Sequence, residues 1–339
     1  MIIKEYSYPR GALIGNPSDG YFGKTIAMTF TNFHAEVLLY ESPELEILPD
    51  ARDHSVFSSI SALADDVKLF GYYGGIRLLK ATVRRFADYC RRNDIPLHGR
   101  NFTLRYASNI PRSVGLAGSS AIITACMRAL TRFYDVAIPR PVFANLVLGV
   151  EKEELRISAG LQDRVAQAFQ GLVYMDFNRE LMAQQGYGRY EELDAALLPP
   201  VYIAYRSALA ETSDVYHHDL RSRYEQGDAQ VLDAIAFWAD LTEKVRAALL
   251  ARTPAKIAPL MNANFDRRAQ LYQISPGNLQ MVEAARSVGA SAKFTGSGGA
   301  IIGTYEDEAM FQRLKQKLNR MDIEVIKPAI TAPIGDGHI

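Results

Sequence analysis

One short run, Pro111-Arg-Ser-Val-Gly-Leu-Ala-Gly-Ser-Ser-Ala121, constrains what this chain can fold into more than any other. Pro111 closes an alternating segment, Gly115 and Gly118 permit a tight turn, and Ser119 and Ser120 stand where capping hydroxyls precede a helix. Beyond them Ile122, Cys126, Ala129, Leu130 and Phe133 recur at helical spacing, which predicts a helix from about Ser120 to about Tyr134 with that face buried. Its N-terminus faces the glycines. Unpaired N–H groups and the positive end of the helix dipole would make a phosphate seat there. An ordinary capped helix after a glycine turn accounts for the same residues, so both readings stay open on this stretch alone.

The anion would have to be held locally. Thirty-eight basic residues balance thirty-eight acidic ones, leaving no whole-molecule field to gather nucleic acid or anionic membrane. At 339 residues the chain has room for two domains. Cys90 and Cys126 both fall in predicted helices, which argues against a disulfide framework and fits a cytoplasmic protein. No apolar run approaches the roughly twenty residues that span a bilayer, and the first residues lack the apolar core of a signal peptide.

Along the chain, Gly15 to Thr25 is a loop dense in turn formers. Its end, Gly23-Lys24-Thr25, lacks the glycine and the following helix that a Walker A loop needs. Asn16, Ser18 and Asp19 are either turn residues bonding their own backbone or a polar cradle for a hydroxylated substrate. Ile26 to Phe33 and Ala35 to Tyr40 read as a strand pair, and Ser58 to Leu69 and Tyr72 to Arg92 as helices. Asn101 to Ala107 alternates as a strand leading to Pro111. Pro141 to Leu155 reads as a helix that carries Glu151, Glu153 and Glu154 against the dipole at its end. A bound cation would explain them, as would plain solvation. Asp163 opens a short helical stretch and is expected even without a function.

Between Asp176 and Pro200 the apolar period fails, which places a domain boundary near 190. Strand Val201 to Tyr205, helices Asp228 to Leu250, Pro254 to Gln270 and Pro276 to Val288, and a glycine-dense loop into a buried strand at Lys293 to Gly303 follow. With helix Glu308 to Asn319 and strand Ile323 to Ile326, this second part, 191–330, reads as a ferredoxin-like α+β unit, and 331–339 as a loose tail.

Three motifs in this order, Arg10-Gly-Ala-Leu-Ile-Gly-Asn-Pro-Ser-Asp19, Pro111 to Ala121 and Lys293-Phe-Thr-Gly-Ser-Gly-Gly299, resemble the signature set of the GHMP small-molecule kinases. Leu13 to Asp19, Gly71 to Leu79 and Gly160-Leu-Gln-Asp-Arg-Val-Ala-Gln167 further resemble the plant glucuronokinase branch, over most of the chain. The likeness is partial between Ser207 and Arg223, where His217 and His218 stand side by side. The resemblance implies a ribosomal-protein-S5-like N-terminal domain over 1–190 and a ferredoxin-like C-terminal domain over 191–330, with ATP and a sugar acid meeting between them. It places Pro111, Gly115, Leu116, Ala117, Gly118, Ser119, Ser120 and Ala121 around the ATP phosphates, and Ser120 with Glu151 on Mg²⁺. It makes Asp163 the catalytic base and Arg10 its companion at the transferred phosphate. Asn16, Ser18, Asp19, Gly296, Ser297 and Gly298 would line the substrate side. The expected reaction is phosphorylation of the anomeric hydroxyl of D-glucuronate. A uronate needs a cation for its carboxylate, and Lys24, Arg164 and Arg206 adjoin the matched motifs. Two other classes remain: an ATP-binding sensor without turnover, and an RNA-binding module, which the balanced charge opposes.

Overall fold

The computed structural model describes residues 1–49, 74–206, 220–335 and 339. The helix expected at 58–69 and the histidines at 217 and 218 lie outside the described residues. Among the described residues no helix is long and apolar enough to cross a membrane.

Among the described residues, three four-stranded sheets organise the chain. The first has the order β1 (Ile2–Ser7), β4 (Ala35–Ser42), β6 (Asn101–Ser108), β5 (Glu46–Ile47). It is covered by helices α1 (Gly75–Arg92) and α2 (Gly118–Tyr134). Helix α2 is buried almost all round, as its mixed Ala, Ile, Cys, Met and Leu content requires. The second sheet has the order β2 (Arg10–Ile14), β3 (Lys24–Thr29), β7 (Leu172–Asp176), β8 (Arg189–Leu193). Helices α3 (Arg140–Gly149), α4 (Gln162–Phe169) and α5 (Arg179–Gln185) also belong to this half.

In the second half, β9 (Val201–Tyr205) is followed by α6 (Ala229–Leu250), α7 (Ile257–Leu271), α8 (Pro276–Arg286), β10 (Lys293–Phe294), β11 (Ala300–Thr304), α9 (Glu308–Asn319) and β12 (Glu324–Ile326). The strand order β10-β11-β9-β12, antiparallel throughout, is the ferredoxin-like arrangement with extra helices in its first crossover. Helix α9 begins where Asp307 caps it, its carboxylate accepting the Met310 N–H at 2.7 Å. The halves are not separate bodies. One continuous apolar cluster runs from Leu13, Ile26 and Met28 of the second sheet to Ile203, Trp238 and Leu241 beyond it.

Four expectations change. The strands after Thr25 and Ala35 do not pair with each other: β3 joins β2 and β7, while β4 joins β1 and β6. Alternation marks each as a strand but carries no partner. The stretch without apolar period after Asp176 contains α5 and β8, and β8 pairs in register with β7. A division at 190 would therefore cut a strand, and we place it between Leu193 and Val201. At Thr331 and Ile339 the tail is docked rather than loose. Thr331 Oγ1 lies 2.6 Å from that of Thr29 and accepts the Gly171 N–H at 2.8 Å, and Ile339 exchanges two backbone bonds with Ile138. Helix α3 stops at Gly149, and Val150–Glu154 forms a wider π turn.

Candidate active site

Two glycine-rich loops, one from each half, press against each other. Gly115 holds φ +68°, and a Cβ built on it would lie 3.0 Å from the Ser297 nitrogen. A Cβ on Gly296 would fall 2.5 Å from the Gly115 carbonyl oxygen. Close packing accounts for Gly296, and the left-handed backbone with a tight contact for Gly115. The loop enters α2 through Ala117 in the left-handed conformation, with no side-chain cap hydrogen bond. The expected serine caps are absent here: Ser119 and Ser120 sit inside the first turn, not before it. The N–H groups of that turn are left for an anion.

Side chains behind the loops fix their shape. The Ala117 carbonyl accepts from Gln167 Nε2 at 3.0 Å and from Ser120 Oγ at 3.1 Å. Arg268 donates to the carbonyls of Gly296 and Ser297, at 2.8 and 3.1 Å. Turning these carbonyls back leaves the opposite side of each loop to its N–H groups. Pro111 and Leu116 complete the first loop, Leu116 being buried and its carbonyl accepting the Arg10 N–H at 3.1 Å. Ala121 is buried, and Gly118 opens the helix. Gly298 belongs to the buried end of the second loop.

Arg10 links the loops to a carboxylate. Its Nη2 lies 2.5 Å from Asp163 Oδ1, and its Nη1 donates to the carbonyls of Thr295 and Gly115. Arg164 takes the other oxygen, Oδ2, at 3.0 Å. The same guanidinium donates through Nε at 2.7 Å, and through Nη2, to Glu151 Oε2. Glu151 is 1% exposed. Burial raises its pKa, and the charge of Arg164 opposes that rise. Its remaining oxygen, Oε1, accepts from Ser119 Oγ at 3.3 Å. The structure therefore brings Glu151 to Ser119, not Ser120. Ser120 is the third helical residue, and its hydroxyl turns back onto the carbonyl three residues earlier.

The acidic residues of the π turn after α3 are paired with arginines, although Glu153 stays largely exposed. Glu153 is held bidentately by Arg85 at 2.5 and 3.0 Å, and Glu154 by Arg84 at 3.4 Å.

On the substrate side, only Asp19 of the three polar candidates from the first loop faces the carboxylates. It lies against Gly160, where a Cβ would stand 2.5 Å from Asp19 Oδ2. Burial and then the charge of Asp163 push its carboxyl up to about 6, with Arg10 pulling the other way. Asn16 and Ser18 are frame residues. Ser18 Oγ donates to the Lys24 carbonyl at 2.9 Å and accepts the Lys24 N–H at 3.1 Å, closing the loop on itself. Asn16 Oδ1 accepts from Lys293 Nζ at 2.6 Å. Lys293 is 1% exposed and also donates to the carbonyls of Ala12 and Phe294, riveting the two halves. Burial, then Arg268 and Arg10, lower its pKa well below the usual ammonium value.

The proposed carboxylate readers are already engaged. Lys24 Nζ sits 2.5 Å from Glu243 and 3.2 Å from Asp176, Arg164 lies between Glu151 and Asp163, and Arg206 is 3.6 Å from Asp322. Gln167, Lys293 and Arg268, which hold the loops in place, were not foreseen. The first two lie inside the matched motifs, while Arg268 on α7 carries no local signal.

Comparison with known proteins agrees with this geometry. Residues 77–171 match the family model of the GHMP kinases N-terminal domain, and 245–323 that of the GHMP kinases C-terminal domain. The chain is 45% identical over 306 residues to glucuronokinase 1 of Arabidopsis thaliana, covering 88% of this chain and 84% of that one. It is 44% identical over 308 residues to the probable glucuronokinase 2 of the same plant, covering 89% and 84%. Among solved structures, Streptococcus pneumoniae phosphomevalonate kinase in complex with phosphomevalonate and AMPPNP superposes with a TM-score of 0.73 at 15% identity, over 96% of this chain and 99% of that one.

Proposed function

This chain belongs to the GHMP kinase family, phosphotransferases with an alcohol group as acceptor, and on that premise we propose that it transfers the γ-phosphoryl group of ATP to the anomeric hydroxyl of D-glucuronate, giving D-glucuronate 1-phosphate and ADP. The observation that carries the chemistry is Arg10. One guanidinium touches Asp163 and both glycine-rich loops, so the acceptor's base and the phosphate seat share a single pivot.

The family relation supports the choice of substrates, and the geometry supports the roles. The first-turn N–H groups of α2, with the loop from Gly115 to Gly118, would hold the phosphates. Asp163, positioned at both oxygens by Arg10 and Arg164, would take the proton of the acceptor hydroxyl. Arg10 would neutralise charge on the transferring group. Phosphoryl transfer asks for positioning and charge neutralisation rather than covalent help, and these residues suffice for it. Asp19, on the same side as Asp163, would accept hydrogen bonds from sugar hydroxyls.

Ser119 Oγ and Glu151 Oε1 are hard oxygen donors beside the phosphate seat, a set that fits Mg²⁺ holding several of its own waters. Mg²⁺ supplies charge neutralisation of the phosphates when bound. The reading is tested by ADP release from ATP and Mg²⁺ across D-glucuronate, D-galacturonate, D-glucose and mevalonate. It predicts release that depends on D-glucuronate above the others. A better neutral hexose or galacturonate would reassign the acceptor, and nucleotide binding without release on any of them would make the protein a sensor.

A further inference from the structure

A uronate differs from its hexose by one carboxylate, and in this cleft that charge meets Asp163, Asp19 and Glu151. The nearby cations are committed: Arg10 to Asp163, Arg164 to Glu151 and Asp163, Lys24 to Glu243 and Asp176. Arg206 points to Asp322.

Arg221 is placed differently. Its Nη2 donates to the Gly20 carbonyl at 3.1 Å, one residue along the loop from Asp19. Its guanidinium carbon lies 5.2 Å from the centre of the Tyr21 ring, which is buried and packed at 5.0 Å against Tyr224. Tyr224 is itself held, its hydroxyl accepting from Arg179 at 2.6 Å, and Arg179 lies over Phe22. The planar group is thus fixed at one corner and along one face. Among the described residues its Nε has no hydrogen-bond partner, and Nη1 reaches only the exposed Glu225, 3.9 Å away. An arginine held this way presents an open edge on the loop at Gly20, the residue that follows Asp19.

We propose that Arg221 is the specificity residue of this site, its free edge binding the carboxylate of the uronic acid while Asp19 and Asp163 engage the hydroxyls. This rests on the acceptor assigned above. The carboxylate sits on the carbon across the ring oxygen from the anomeric centre, so an acceptor hydroxyl at Asp163 directs it away from that base. Planar bidentate pairing suits arginine, and a lysine would restore charge without the fork.

The test compares D-glucuronate with D-glucuronamide, which keeps the ring and removes the charge. Binding is measured by calorimetric titration, and kcat/KM alongside it, for the wild type, Arg221→Gln and Arg221→Lys. The proposal expects the wild type to prefer the acid, and Arg221→Gln to lower the acid-to-amide ratio about 10- to 150-fold, the range of one charge-assisted contact. The change should fall on KM rather than kcat, with partial recovery in Arg221→Lys. A preference unchanged in Arg221→Gln, or equal losses for both sugars, would overturn the role of Arg221 while leaving the uronate assignment standing. A wild type indifferent to the carboxylate would overturn the assignment itself, and Arg221 with it.

Discussion

The two sides of the cleft are made of different material. The proposed nucleotide side is backbone: Gly115 against Gly296, the uncapped first turn of α2, and carbonyls drawn back by Gln167 and Arg268. The proposed acceptor side is side chain: Arg10, Asp163 and Asp19, with Arg221 added by inference. Peptide N–H groups meet what every nucleoside triphosphate offers, whereas carboxylates and guanidinia at set positions meet what one sugar offers. A shared half and a particular half can therefore coexist in one family, and Arg164 joins them by holding Glu151 on one side and Asp163 on the other.

The largest expected effect separates the halves. Asp163→Asn should lower kcat by about a hundred- to ten-thousand-fold, the usual contribution of a positioned base, and leave ATP affinity within about twofold. Near-normal turnover would reduce Asp163 to a helix-opening residue. Next comes the joint between them. Arg164→Met leaves Glu151 buried without its cation, so stability should fall by about 3 to 5 kcal/mol, read from denaturant unfolding. A loss confined to activity would contradict the pairing.

Gly296→Ala acts on the nucleotide side. Its Cβ would meet the Gly115 carbonyl, and with backbone on both sides the cost should be about 1 to 3 kcal/mol, with a raised KM for ATP. Gly99→Ala, where a Cβ meets nothing within 4 Å, should change neither. Equal effects at the two glycines would show that the loops are not pressed together.

The smallest effect is a pH step on the acceptor side. With its carboxyl raised to about 6, Asp19 accepts hydrogen bonds as a carboxylate only above that value, so the KM for the sugar should fall as pH rises through about 6. Asp163 and Arg10 are the charges facing it, and Asp19→Asn should remove the step. Between the ordinary value of 3.8 and about 6 the folded chain keeps a proton that the unfolded chain has lost. Stability from this group therefore falls as pH rises through that window. A sugar KM flat across it would place Asp19 outside the binding surface.

Legibility in the sequence follows the same division. Glycine patterns are readable because the requirement is local, a backbone angle or a close approach, and the strand at Val201–Tyr205 and helix at Glu308–Asn319 stand where periodicity puts them. Partnerships are not local. Nothing near Lys24 announces Glu243, 219 residues away, and nothing near Arg164 states that it serves Glu151 rather than a ligand. Asn16 and Ser18 have the residue types of a substrate cradle, yet Lys293 and the Lys24 backbone take their polar atoms. The choice between Ser119 and Ser120 turned on one step of helical phase, and the docking of Thr331 on Thr29 and Gly171, distant in sequence.

The central claim is transfer to one particular oxygen, and phosphorus NMR of the product tests it most directly. With ATP, Mg²⁺ and D-glucuronate the account predicts one new phosphate signal per ADP formed, split by coupling to the anomeric proton. A phosphate ester at another carbon, or inorganic phosphate alone, would contradict it.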